Sequence, residues 1–544
     1  MSKTPPVVTI ETGQLQGSWQ ENEQIAVFKG VPYAKPPVGE LRWRPPQPAV
    51  SWSGIREATK SGPTAIQFAA FFEVFVGGVI DGQGWSWLKR WFMKTMLKIA
   101  PRPKESEDCL YLEVRTPSLE ATGKRPVMVW IHGGDHQDGA GSDPLYDSNA
   151  LALNDVVTVS INYRLGIMGY FTHPELAQES EQHVSGNYGL LDQIAALQWV
   201  QDNISRFGGD PDNVTIFGES AGGESVAQIL TTPLARGLFH KAILQSPANG
   251  GQMRHLRRPF LDYESDEEKG VSFAKALGVT GENQIGRLRQ MSADDLYDFA
   301  RADTESNPFY PTIDGVVLPQ SPFAAFYDGS QFDVPLIVGS NTDEGTVIYP
   351  MFEVPLPEYR HRPQPNGRMP EYITEAFGEA DAQRLAELYP GFGQRAFQAE
   401  SDFVGDNMFG SRAYFYAEQG EKKGQDCYLY MFGRVCPSKK QTAGAFHAAE
   451  LPFIHGVSSP LLPLGEKDQV LAAQMRAYWT NFAKTGDPNG EGLPRWERFD
   501  SDDPQWNSFD IGAVGMAPVN RLEKYAVLNR RLVKYIELMK EMVV

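Results

Sequence analysis

The sequence predicts an α/β fold in which a mostly parallel central sheet is flanked by helices, with long excursions between its strands. Three observations predict it. The runs Val127–Ile131, Val156–Ile161 and Pro335–Gly339 are largely apolar and rich in β-branched residues, as strands covered on both faces are. Each leads directly into a polar or glycine-bearing loop, where functional groups sit in an open parallel sheet. A fourth run, Val214-Thr215-Ile216, passes through Phe217-Gly218-Glu219-Ser220-Ala221-Gly222-Gly223 into the helix-forming Ser225–Leu230. A length prior of ~150 residues per domain would divide 544 residues into three or four units. No Ser/Gly-rich linker, repeat or low-complexity tract marks such divisions, so one domain over 1–544 is the better expectation.

Strand, Gly-x-Ser-x-Gly, helix describes a nucleophile elbow, the tight turn that lifts a serine oxygen clear of the backbone. Gly218 and Gly222 carry no Cβ, so strand and helix can approach across the turn while Ser220 holds a strained conformation. An ordinary glycine-rich turn can carry the same short pattern. The surrounding sequence decides between them: Gly186-Asn187-Tyr188-Gly189-Leu190-Leu191-Asp192-Gln193 precedes the elbow, and Phe207-Gly208-Gly209-Asp210-Pro211-Asp212-Asn213 runs into it. With these go Phe28–Trp43, Glu107–Val114, Asn162–Gly166, Pro311–Gly315 and Asn341–Gly345. Together, from about residue 28 to residue 456, these segments resemble the type-B carboxylesterase family, which includes bacterial para-nitrobenzyl esterases, animal carboxylesterases and cholinesterases.

The resemblance implies an α/β-hydrolase fold and an active site assembled from distant segments. A serine hydroxyl needs a base within hydrogen-bond reach, itself oriented by a carboxylate. By motif position the nucleophile is Ser220, the acid Glu344 and the base His447, in Gly444-Ala445-Phe446-His447. This is the α/β-hydrolase chain order. Asp343 is the nearest competitor for the acid role.

By the same resemblance the oxyanion donors are the backbone N–H groups of Gly134, Asp135 and Ala221. Here the chain departs from the family, reading His132-Gly133-Gly134-Asp135-His136 where a third glycine and an aromatic residue are usual. Backbone donors do not depend on side-chain identity. A carboxylate facing a developing oxyanion would oppose it unless Asp135 points away, is neutralised or pairs with His136. The expectation is that it shapes the loop by accepting from a neighbouring N–H, as Asp does in turns.

A second departure lies between Ala65 and Glu107, the cap segment at about 66–106 that by resemblance overhangs the active site. It is rich in Phe and Trp. At about 100° per residue Trp85, Leu88, Phe92, Met96 and Ile99 share an arc of roughly 80°, with Arg90, Lys94 and Lys98 elsewhere on the wheel. The reading is an amphipathic helix whose aromatic side rims the site, ahead of a helix packed on the body and of one lying on a membrane surface. Ala65 stands where family members from oxidising compartments carry the cysteine that bridges to the position of Cys109. That leaves Cys109, Cys427 and Cys436 without the staple, which fits a reducing, cytoplasmic compartment better than an oxidising one. Residues 1–6 show no secretory h-region, although a sequence with its signal removed would read the same.

A composition of 41% hydrophobic and 22% charged residues is that of a globular protein, and a net charge of −18 disfavours nonspecific nucleic-acid binding. The longest apolar candidate for a membrane span, Phe68–Ile80, falls short of ~18 residues and contains Glu73. No Cys/His cluster has zinc-site spacing, and no metal or organic cofactor is implied. The resulting expectation is hydrolysis of small-molecule carboxylic esters through an acyl-Ser220 intermediate, by a monomer or homodimer. Two rivals remain: a noncatalytic cholinesterase-like binding protein, and a lipase-like hydrolase working at a lipid interface. Substrate choice stays open, because the segment after Gln245-Ser246, Pro247–Gly251, does not follow the family's usual acyl-pocket sequence.

Overall fold

The computed structural model describes residues 3–67, 69–100, 102–120, 124–248, 253–260, 263–302, 309–352, 369–391, 396–435 and 441–543. Met1, Ser2, Phe68, Asn249, Gly250, Gly251 and Cys436 lie outside the described residues, as does the Phe71 side chain.

The strands in chain order are β1 (Val7–Ile10), β2 (Gly13–Gln16), β3 (Ser18–Gln20), β4 (Ile25–Pro32), β5 (Ile55–Glu57), β6 (Tyr111–Thr116), β7 (Arg125–Ile131) and β8 (Val157–Ile161). They continue with β9 (Gly209–Glu219), β10 (Lys241–Gln245), β11 (Leu336–Asn341), β12 (Cys427–Phe432), β13 (Gln505–Phe509) and β14 (Gly515–Pro518). Among the described residues β1, β2 and β5 make a small sheet, and the other eleven form one sheet in the order 14-13-12-11-10-9-7-8-6-4-3. From β8 through β13 every pairing is parallel; β14 on one side and β6, β4 and β3 on the other run antiparallel. The predicted strands therefore occupy the parallel centre, where β8, β10, β11 and β12 are buried at every residue because helices cover both faces.

Strand order reverses around β7, which lies between β8 and β9. An open parallel sheet has a crevice beyond its carboxyl ends at such a point. Register aligns those ends: Ile131 pairs with Gly218, Glu219 with Gln245, Gln245 with Gly339 and Asn341 with Phe432. The segments leaving β7, β9, β10, β11 and β12 consequently emerge side by side. One apolar core joins both faces of this sheet, and a second, around Trp43, Phe171, Phe273, Tyr297 and Phe309, fills the flank beside the segment after β7.

The cap segment contains two helices, α1 (Ala69–Gly82) and α2 (Trp87–Ile99). The apolar stretch read as too short for a span is thus α1, and no helix among the described residues is long and apolar enough to cross a membrane. The amphipathic helix is present as α2, N-capped by the Ser86 hydroxyl, but its expected orientation needs correction. No residue of α2 is buried, and its aromatic face turns to solvent instead of rimming the site: Trp87 is 73% and Trp91 60% exposed. The basic side faces α1, where Asp81 pairs with Lys94 at 2.6 Å and lies 3.8 Å from Arg90.

Candidate active site

Ser220 sits between β9 and the helix Ala221–Ile229 with φ 58° and ψ −125°, a conformation an L-residue holds only when its surroundings force it. A Cβ on Gly222 would lie 2.1 Å from the Ile131 carbonyl oxygen, and one on Gly218 would lie 2.5 Å from that of Gly222. The two glycines are therefore demanded by backbone contact across the elbow. Ser220 N–H donates to the Gln245 carbonyl at 3.0 Å, which ties the turn to β10, and the side chain stays partly exposed.

On one side of Ser220 the chain brings His447 and Glu344 together. His447 Nδ1 lies 2.6 Å from Glu344 Oε2, and both are buried. The other carboxylate oxygen of Glu344 accepts from the Asn341 N–H at 2.7 Å and from the Ser246 hydroxyl at 2.5 Å. Gly345 lets this segment seat, since a Cβ there would fall 1.8 Å from the Ser401 carbonyl. Asp343 points elsewhere. It accepts from Ala445 N–H at 2.9 Å and from the Thr342 hydroxyl at 2.7 Å, clasping the histidine loop without reaching the ring.

Sequence reasoning assigned no part to Glu219, the residue inside Gly-x-Ser-x-Gly. Its Oε1 lies 3.1 Å from His447 Nε2, an ion-pair distance without hydrogen-bond alignment. Burial alone would depress the His447 imidazolium, but Glu219 and then Glu344 outweigh it and hold its pKa up at about 9. Burial pushes the Glu219 carboxyl up to about 8; His447 opposes that shift, while Glu450 and Glu344 add to it. Glu450 is itself buried and accepts from Gln245 at 3.0 Å and Asn341 at 2.7 Å.

Two rings complete this side. Phe409 stacks on His447 at 4.3 Å between centroids, and Phe75 of α1 meets it edge-on at 6.1 Å. Phe409 comes from a π-helical turn, Asp406–Gly410, an irregularity that recurs at functional sites. The Asp406 side chain is anchored by Arg521 at 2.6 Å and the Tyr389 hydroxyl at 2.9 Å. The acidic character of Glu219 was legible in the motif and Phe75 belongs to the Phe- and Trp-rich cap segment expected to rim the site, but nothing local marked Phe409.

On the other side lies the segment 132–142 after β7. A Cβ on Gly133 would come 3.1 Å from Ser220 Cβ, so this loop abuts the elbow. Gly134, Asp135 and His136 all take positive φ, of 103°, 55° and 57°. In that conformation Asp135 Oδ2 accepts from the Tyr310 hydroxyl at 2.7 Å. One partner of the carboxylate is thus a distant tyrosine, which the sequence did not suggest. His136 is buried beside Tyr170 at 3.3 Å and Glu224 at 3.6 Å. His132 stacks on Tyr163 at 4.4 Å, and burial lowers its pKa to about 4, so it is neutral near pH 7. Asp138 accepts from Phe72 N–H at 2.8 Å and Gln67 from Gly139 N–H at 2.8 Å, which stitches the cap to this loop. Ala65 and Cys109 line one small cleft, where the absent disulfide would have lain, and Cys109 and Cys427 are free and buried.

Comparison with known proteins agrees with this architecture. The family model described as "Carboxylesterase family" matches residues 4–527. Liver carboxylesterase of Sus scrofa is 35% identical over 542 residues, covering 92% of this chain and 88% of that protein. Para-nitrobenzyl esterase of Bacillus subtilis is 35% identical over 504 residues, covering 90% and 92%. A solved structure of a PNB esterase superposes with a TM-score of 0.77 at 32% identity, over 96% of this chain and 100% of that one. These neighbours favour ester hydrolysis over the noncatalytic and lipase-like readings.

Proposed function

The chain belongs to the carboxylesterase family and is a carboxylic ester hydrolase of α/β-hydrolase fold, and from that premise we propose that Ser220, His447 and Glu344 carry the reaction. The observation that supports this most is the buried 2.6 Å contact between His447 Nδ1 and Glu344 Oε2, with His447 Nε2 3.1 Å from the carboxylate of Glu219, the residue that precedes Ser220 on its strained elbow.

His447 takes the Ser220 proton through Nε2 as the oxygen attacks the ester carbonyl. Glu344, fixed by Asn341 and Ser246, holds the imidazole by Nδ1 and stabilises the imidazolium that forms. The tetrahedral oxyanion is received by the N–H groups of Gly134, Asp135 and Ala221, whose geometry comes from backbone. His447 then returns its proton to the departing alcohol. Water, activated by the same nitrogen, releases the acid from Ser220.

The substrate class is a small-molecule carboxylic ester. One domain over 1–544 is the functional unit, since the proposed groups are contributed from residue 134 to residue 447. The unbridged Cys109 and Cys427 support a reducing, cytoplasmic setting. Stopped-flow mixing with a para-nitrophenyl ester tests the route. A burst of one nitrophenol per enzyme before steady turnover is expected when deacylation is the slower step, and no nitrophenol release at all would refute hydrolysis.

A further inference from the structure

We propose that α2 is a docking surface for an anionic phospholipid bilayer, independent of the residue roles assigned above. Trp87, Leu88, Trp91, Phe92, Met96 and Ile99 are all solvent-exposed, from 43% for Met96 to 73% for Trp87, on a helix with no buried residue. A contiguous apolar face of this kind on a folded surface marks an interaction site.

Which occupant it fits follows from the residues beside it. Residues 82–104 carry Lys89, Arg90, Lys94, Lys98, Arg102 and Lys104 and no Asp or Glu, in a chain of net charge −18. Asp81 holds Arg90 and Lys94 inward, and Glu73 pairs with Arg102. Lys98 stands between Trp87 and Trp91 on the wheel, and Lys89 stands next to Met96, so an ammonium borders each edge of the apolar strip. Apolar centre, tryptophan edge and lysine rim match the depth profile of a bilayer interface: chains, then the headgroup boundary, then anionic phosphate. A second copy of the chain fits poorly, because an isologous contact through α2 would bring the two lysine rims together.

The overall negative charge does not forbid this. At physiological ionic strength screening acts over about 8 Å, so a patch in contact with headgroups outweighs charge on the far side of the molecule. The helix, 13 residues long and so about 20 Å, would lie in the surface plane. Four residues join it to α1, whose Phe75 touches His447, so docking would bring the catalytic cover to the bilayer.

Vesicle co-sedimentation of the full chain tests this. Binding to mixed phosphatidylglycerol–phosphatidylcholine vesicles is expected, with weaker binding to pure phosphatidylcholine. The variant carrying Trp91→Gln and Phe92→Gln should partition about tenfold less well or worse, and Lys89→Glu with Lys98→Glu should remove the preference for phosphatidylglycerol. Both sets are exposed substitutions, so hydrolysis of a short soluble ester should be unchanged and serves as the check on folding. Absence of binding to either vesicle would overturn the proposal, as would binding unaffected by the Trp91 and Phe92 changes. A vesicle-free dimer in sedimentation velocity that Trp91→Gln and Phe92→Gln dissociate would also overturn it, by making a second copy the occupant.

Discussion

The two flanks of Ser220 are built on different principles. Toward His447 the site is a buried network of ionisable side chains: three glutamates, an imidazole and the amide and hydroxyl groups that fix them. Toward Gly134 it is a stretch of left-handed backbone held from outside by Tyr310, Phe72 and Gln67. The first flank needs particular charges at particular atoms. On the proposed roles the second needs only N–H groups in the right place, and that difference accounts for an aspartate standing where the family resemblance leads one to expect a third glycine.

Substitutions can break this contrast at either flank. The largest effect should come from the atoms that react: Ser220→Ala or His447→Ala should lower kcat by roughly 10⁶-fold in a steady-state ester assay, with the circular dichroism spectrum retained. Near-parental turnover in either would remove the triad. Next is Glu344→Gln, which keeps shape and loses charge, and should cost about 10⁴-fold in kcat. Asp343→Asn should instead leave kcat nearly intact and lower thermal stability by around 1 kcal/mol, since Asp343 clasps the histidine loop and does not touch the ring. The reverse pattern would exchange their roles.

Glu219 sharpens the electrostatic side. A general base must be unprotonated, and Glu219 is the largest influence raising the His447 pKa to about 9. Glu219→Gln should therefore move the acid limb of the kcat/KM profile to lower pH, toward the ordinary histidine value. The plateau should fall by about tenfold, because the imidazolium of the transition state loses a stabilising charge. An acid limb that stays in place would show that Glu219 does not set the base. Smaller still is Tyr310→Phe, expected to lower kcat by less than about threefold, since it removes one hydrogen bond to Asp135 while sparing the N–H donors.

The same contrast accounts for what could be read from the chain. The elbow, its glycines and the parallel strands were legible because each is a local pattern with a local mechanical cause, whereas Glu344 and His447 were named only through the resemblance of their motifs to those of the family. The contact of Glu219 with His447 was not legible. It arises because β9 and the loop after β12 meet across the sheet, which no sequence window spans. Phe409 was hidden for a similar reason, as its placement rests on a π-helical turn anchored by Arg521, far along the chain. For α2 the wheel grouped Leu88, Phe92, Met96 and Ile99, which do share the exposed side, but it counted Trp85, which precedes the helix, left out Trp87 and Trp91, and could not say which way the group faces. The basic side of α2 meets a carboxylate, Asp81, on the preceding helix, a contact no helical wheel contains. One partner of Asp135, Tyr310, likewise comes from 175 residues away.

The central claim is that the oxyanion flank acts through backbone and the histidine flank through charge, and Asp135→Asn tests it most directly. The amide keeps the size and the hydrogen-bonding capacity toward Tyr310 while removing the charge beside the oxyanion donors. The account predicts kcat for a para-nitrophenyl ester within about threefold of the parent, an unaltered pH profile and no accumulated acyl-Ser220 by intact-protein mass spectrometry. A loss approaching that of Glu344→Gln, or a stable acyl-enzyme present in the variant alone, would contradict it and make the Asp135 carboxylate a participant in the chemistry.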